Sequence, residues 1–155
     1  MTDEARKNFT LRITQANKSE LVVILYEMYL VYLDEAIEAK DSRQSFRECL
    51  RKARGCINEL MNSLDFDYEL AYNLLQLYVY VNREMAAADV RGTAEPLVGC
   101  RRIMEGLLEA YRQVSRQDTS APVMENAQAV YAGLTYGKGE LTESMVQQGN
   151  RGFFA

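Results

Sequence analysis

The sequence predicts an all-α protein: an up-down-up-down antiparallel four-helix bundle with an extended N-terminal arm and a short C-terminal helix and tail. Three observations predict it. Apolar residues recur at three- and four-residue spacing through four stretches of about twenty residues each. The joins between those stretches are short and carry turn and cap residues. No strand pattern competes with the helical ones, and no internal repeat is visible. The 155 residues suffice for one domain with a single core. The expected division is an arm over 1–16, the bundle over 17–116, and a short helix with a tail over 117–155.

The chain is organised around Leu21 to Leu33, LVVILYEMYLVYL, in which Glu27 is the single charge. A helix that borders water on one side needs a polar face, and this one has almost none. It belongs either at the centre of a bundle or on a surface kept apolar for another chain. It is too short to span a membrane, which takes ~20 apolar residues. Asn17-Lys-Ser-Glu20 places N-cap and N3 residues of a capping box just ahead of it. Asp34, Glu35, Glu38 and Lys40 return the chain to water, giving a helix over 18–40.

Ahead of this helix, Phe9-Thr-Leu11-Arg-Ile13 alternates apolar and polar, the period of an extended segment with one side buried. The reading is an arm lying on the bundle, or one that covers a binding groove until a partner displaces it. After the helix, Asp41-Ser-Arg-Gln44 offers a second capping box. Phe46, Cys49, Leu50, Ala53, Cys56, Ile57, Leu60, Met61 and Leu64 then form one buried stripe. Gly55 lies inside this helix and lowers its propensity by ~1 kcal/mol against Ala, which points to a close helix contact. Arg43, Arg47, Arg51, Lys52 and Arg54 lie on the outer side, as a solvated face or as a surface for an acidic partner.

Asp65-Phe-Asp67 makes the next turn, and a third helix is expected from about Asp67 to Ala88. Its core stripe reads Leu70, Ala71, Leu74, Leu77, Tyr78, Val81 and Met85. Tyr68, Tyr72, Leu75, Val79 and Ala86 fall on a second apolar stripe, nearly opposite the first at about 100° per residue. One bundle contact needs one stripe, so the second either packs internally or faces a partner. Gly92-Thr93 breaks the helix, with Thr93 as N-cap and Pro96 tolerated in the first turn that follows. The fourth helix carries Leu97, Cys100, Met104, Leu107, Leu108, Tyr111 and Val114 and should end near Ser115. Beyond Pro122 a short helix from Val123 to about Tyr131 precedes a glycine-containing tail, whose terminal Phe153-Phe154 is expected to pack back onto the bundle.

Composition narrows the function. The formal charge of −4, with acids and bases interspersed, argues against a nucleic-acid partner. The N-terminus lacks the apolar core of a signal peptide, which points to the cytoplasm. Histidine is absent, so His-based triads and the usual His-containing zinc and di-iron sets are excluded. Cys49, Cys56 and Cys100 form no C-x-x-C pair and read as small buried hydrophobes. No phosphate loop, nucleophile elbow or inward carboxylate pair is present, so no enzyme, cofactor or metal site is expected. Ten tyrosines and seven methionines suit adaptable apolar contacts with another chain.

Four pieces of sequence carry a family resemblance. Ile13-Thr-Gln-Ala16-Asn-Lys-Ser-Glu20-Leu21 runs into Ile24-Leu25-Tyr26-Glu27. Cys56-Ile57-Asn58-Glu59-Leu60-Met61 leads to Leu64-Asp65. Leu77-Tyr78-Val79-Tyr80 is followed by Arg83 and Ala88-Asp89, and Leu107-Leu108-Glu109-Ala110-Tyr111 closes the series. In this order and spacing, over about residues 13–115, the chain resembles the flagellar protein FliS family. It departs from the family pattern at Lys18, where a proline is usual, at Met28, where glycine is usual, and at Phe9 in place of a tyrosine. Met28 thickens the first helix at a position normally bare.

The resemblance implies a cytoplasmic export chaperone of the bacterial flagellum. Such a protein binds the C-terminal amphipathic segment of flagellin, prevents premature polymerisation, and assists delivery to the export gate of the type III secretion apparatus. It also implies an encounter with the flagellin-binding translational regulator. The candidate groove joins Tyr68, Tyr72, Leu75, Val79 and Ala86 to Ile24, Met28 and Val31, with Phe9, Leu11 and Ile13 as the covering arm. The alternative is a homodimeric structural bundle in which the second stripe is the dimer interface. A cofactor-binding bundle and a helical DNA-binding domain are disfavoured by the missing histidine and by the charge.

Overall fold

The central apolar helix forms where its cap places it. In a computed structural model, which describes residues 1–124, the chain is all-helical: α1 Asp3–Gln15, α2 Lys18–Glu38, α3 Arg43–Asn62, α4 Glu69–Arg91 and α5 Glu95–Gln117. No strand occurs among the described residues. The chain divides into two compact units. One comprises residues 1–24 with residues 111–124; the other comprises residues 25–110. Both α2 and α5 contribute to each.

In the first unit the expected capping box is present. The Asn17 backbone N–H donates to Glu20 Oε2 at 2.8 Å, and the Glu20 N–H donates to Asn17 Oδ1 at 2.9 Å. Two of the unpaired donors at the start of α2 are thereby satisfied reciprocally. The segment after α5 folds against the same corner. Asn17 Nδ2 donates to the Asp118 carbonyl at 3.2 Å, Ser19 Oγ donates to Asp118 Oδ2 at 2.6 Å, and the Val123 N–H donates to the Ala16 carbonyl at 3.0 Å. Met124, which follows Val123, is buried.

The extended arm is corrected. Residues 9–13 lie inside α1, a thirteen-residue helix capped by the Thr2 side chain, which accepts from the Ala5 N–H, with Asp3 and Glu4 in its first turn. A side-chain cap and acids near the positive end of the helix dipole both favour this conformation. Ala5, Phe9, Ile13 and Ala16 recur at helical spacing, a stripe longer than the five-residue alternation that imitates a strand.

In the 25–110 unit four helical segments share one core. Tyr26, Tyr29, Leu33 and Ala36 come from α2, and Phe46, Leu50, Ala53, Ile57 and Leu60 from α3. Leu74, Tyr78, Val81 and Met85 come from α4, with Leu97, Cys100, Met104 and Leu108 from α5. From Leu25 to Leu33 no residue is fully exposed, and Tyr26, Tyr29 and Leu33 are buried in this core while the rest of the run is half-buried. The Tyr26 and Tyr78 hydroxyls are hydrogen-bonded, and the Tyr29 hydroxyl donates to Met85 Sδ at 3.5 Å. Arg101 grips Asp34 through two nitrogens, at 2.8 and 3.2 Å, and also pairs with Glu105, tying α5 to α2. Arg47 pairs with Asp89 at 3.0 Å, and Asn82 Nδ2 donates to Asn58 Oδ1 at 3.4 Å, so α3 and α4 run antiparallel.

Other expectations shift at the edges. The N-cap of α3 is Ser42 rather than Asp41, and its hydroxyl donates to Ser45 Oγ instead of making a capping box with Gln44. Gly55 makes no close helix contact, for a Cβ built on it would meet nothing within 4 Å. Leu70 and Leu77, expected in the core, are exposed. Leu70 lies in the first turn of α4, and Leu77 sits on the flank of an arc of burial narrower than the apolar run. Val114, near the end of α5, is exposed as well. The expected helix past Val123 lies, beyond Met124, outside the described residues, as do the glycine-containing tail and Phe153-Phe154.

Candidate binding surface on the fourth helix

Helix α4 buries one line of residues and leaves another bare. Ala71, Leu74, Tyr78, Val81, Met85 and Ala88 form the buried line. Roughly 120° further round at 100° per residue, Tyr68, Tyr72 and Val79 stand 68%, 54% and 44% exposed. Leu75 and Ala86, on the same line, are half-buried. Tyr68, Tyr72 and Val79 are thus left open by the packing that buries the first line.

The structure extends the stripe at both ends. Val90 continues it by one turn and is 80% exposed. Phe66 joins from the preceding loop, its ring centroid 5.1 Å from that of Tyr72. Asp65 fixes that loop: its Oδ1 accepts from the Asp67 N–H at 3.0 Å and its carbonyl from the Tyr68 N–H at 3.2 Å. Tyr68 occupies the N-cap of α4 without any side-chain cap bond, a position where Ser, Thr, Asp or Asn would stabilise the helix by about 1 kcal/mol more than an apolar residue. Val90 is legible in the sequence from its four- and eleven-residue spacing from Ala86 and Val79; Phe66 is not, because the loop sets its direction.

The remaining expected residues fall elsewhere. Met28 and Val31 are half-buried on α2. That helix meets α4 through Tyr26 and Tyr29, and Met28 and Val31 lie roughly 100–160° round the helix from Tyr29. They are therefore not part of the α4 stripe. Ile24 is buried, in the other unit, where it borders a pocket of about 340 Å³ that Arg12, Glu20 and Ser115 also line. Phe9, Leu11 and Ile13 are half-buried on α1, again in that unit.

Burial pushes the Cys56 thiol up to about 12 and the Cys100 thiol up to about 11, with Glu59 and Glu84 respectively adding to the effect. Neither is a thiolate near neutral pH, and the thiolate is the nucleophile. Burial likewise raises the Tyr29 phenol well above its ordinary value. Among the described residues no three His, Cys, Asp or Glu side chains gather as a metal-binding group, and no helix is long and apolar enough to cross a membrane. What the surface offers is aromatic and aliphatic area on a rigid helix, a form suited to helix-in-groove recognition.

Compared with known protein families, residues 1–118 match the model described as "Flagellar protein FliS". Compared with individually curated proteins, the chain has no match.

Proposed function

Because the chain belongs to the flagellar protein FliS family, we propose that it holds the C-terminal amphipathic segment of flagellin against the exposed stripe of α4. The family is one of flagellar chaperones and not of enzymes. The finer role proposed here is cytoplasmic: covering the segment that drives filament assembly, preventing premature polymerisation, and assisting delivery to the export gate. An encounter with the flagellin-binding translational regulator belongs to the same reading. The four helical segments are read as an up-down-up-down antiparallel bundle. The α3–α4 pairing and the Tyr26–Tyr78 and Tyr29–Met85 contacts, which advance together along α2 and α4, support that topology.

One observation carries the proposal: Tyr68, Tyr72 and Val79 are aligned on one helix face and exposed, while the same helix buries a full core line. An unfolded client that becomes helical on binding loses conformational entropy, and a preformed apolar surface offsets that loss without adding its own. Scattered exposed hydrophobes need no explanation, whereas an aligned set extended by Phe66 and Val90 supports reading this face as an interaction surface.

The test is titration calorimetry of the full chain against a peptide from the C-terminal segment of the host's flagellin. One-to-one binding with a negative heat-capacity change is expected, as for apolar burial. Tyr72→Ala and Val79→Asp should each weaken it at least about tenfold, in keeping with loss of a central apolar contact, while leaving the helical circular dichroism unchanged. Folded variants that bind as tightly as the parent would overturn the placement on α4. A persistent dimer that flagellin does not dissociate would favour the stripe as a homodimer interface.

A further inference from the structure

The stripe of α4 has a charged neighbour. Helix α3 lies alongside it, in a register fixed at three points: the Arg43 guanidinium beside Gly92, Arg47 paired with Asp89, and Asn58 accepting from Asn82. Arg51 and Arg54 lie between these points on the same side of α3 and are exposed. At about 100° per residue Arg47, Arg51, Arg54 and Asn58 share one sector of the helix, so the arginines stand along the seam between α3 and α4, beside the apolar stripe.

The charges on this sector are not balanced within the chain. Arg47 has Asp89, and the adjacent Lys52 has Glu48 at 3.4 Å. Arg51 and Arg54 have no ion-pair partner among the described residues. Cations three and four residues apart on a helix repel one another, and here they do so in a chain whose net charge is −4. A merely solubilising face would not need like charges massed beside an exposed apolar line. Gly55, which follows Arg54, is exposed on the outer side of α3, where an added Cβ would touch nothing.

We propose that Arg51 and Arg54 select the client: the helix seated on the α4 stripe carries acidic side chains along one edge, and these face the two arginines. The occupant is thus an amphipathic helix with an apolar face bordered on one side by Asp or Glu. This rests on the placement of the client on α4 and adds its orientation about its own axis. Paired charges at the rim of an interface act mainly on association rate, salt dependence and register, so the arginines fix which way round the apolar face is presented.

The experiment compares the full chain with an Arg51→Glu/Arg54→Glu variant and an Arg51→Gln/Arg54→Gln variant. Each is titrated with the C-terminal flagellin peptide, with that peptide carrying Asn and Gln for its Asp and Glu, and with one carrying Lys there. For the parent protein and native peptide, affinity should fall with added salt. The Glu variant should bind about tenfold more weakly and the Gln variant should lie between, as for loss of a rim charge pair. The Lys peptide should recover binding to the Glu variant alone. Both variants change exposed side chains, and unchanged thermal unfolding serves as the folding control. If the parent binds the native and neutralised peptides equally and both variants bind like the parent, the arginine assignment is overturned and the α4 placement stands. If Tyr72→Ala and Val79→Asp leave parent-like binding while the arginine variants lose it, the α4 placement fails instead.

Discussion

The hydroxyls of Tyr26 on α2 and Tyr78 on α4 are hydrogen-bonded inside the core of the 25–110 unit, with ring centroids 6.3 Å apart and ring planes tilted by 50°. Both residues are buried almost completely. Removing one hydroxyl leaves the other desolvated with a partner fewer, which costs about 1–3 kcal/mol, whereas removing both takes away the need along with the bond. Tyr26→Phe and Tyr78→Phe should therefore each lower unfolding free energy by about 1–2 kcal/mol. The double variant should lose less than the sum, with a coupling of about 0.5–1.5 kcal/mol. Urea unfolding of the four proteins measures this cycle, and strict additivity would show that the two hydroxyls act independently.

Two glycines predict opposite signs for one substitution. Gly55 is mid-helix, exposed, and free of any neighbour that a Cβ would meet, so Gly55→Ala should stabilise the protein by about 1 kcal/mol through helix propensity alone. Gly92 caps α4 in the left-handed region at φ 66°, and its N–H donates to the Ala88 carbonyl at 2.8 Å. An added Cβ there would also land on the Arg43 guanidinium. Gly92→Ala should destabilise by about 1 kcal/mol, the strain of a left-handed non-glycine residue. Thermal melting of both variants decides it, and a shift of the same sign for the two would contradict the reading.

What the sequence makes legible follows from how local its causes are. The start of α2 is readable from Asn17 and Glu20 because both partners of the capping box lie within one turn. The buried line of α3 is readable because Phe46, Leu50, Ala53, Ile57 and Leu60 keep one helical period throughout. The second stripe of α4 is readable as a pattern, but its exposure is not, since that depends on where three other helices stop. Leu70 and Leu77 show the same limit: apolar identity placed them in the core, and only the packing of the neighbouring helices leaves them outside. In α1, the strand-like alternation of Phe9, Leu11 and Ile13 outweighed the Thr2 cap and the acids of the first turn. Apolarity alone also groups Met28 and Val31 with the α4 stripe, whereas both lie well round α2 from the Tyr26 and Tyr29 side that meets α4.

Asp118 gives the chain an acid-sensitive tie at the start of α2. Its carboxylate accepts from the Ser120 hydroxyl at 2.5 Å, from the Ser19 hydroxyl at 2.6 Å and from the Ser120 N–H at 3.0 Å. Hydrogen bonds from Ser120 first, then from Ser19, hold its pKa at about 2, below the ordinary 3.8. A folded-state pKa below the unfolded one means that the unfolded chain binds the proton more readily. The stabilising contribution is then complete above the ordinary value and is lost as pH falls from there through about 2. Asp118→Asn removes this linkage, so the variant should lose stability less steeply than the parent over that window. Carboxyl-carbon NMR titration of Asp118, paired with thermal melting across the same pH range, tests both parts. An Asp118 that titrates at its ordinary value, or parent and variant melting curves that stay parallel throughout acidification, would show that the Ser19 and Ser120 bonds do not favour the charged form in solution.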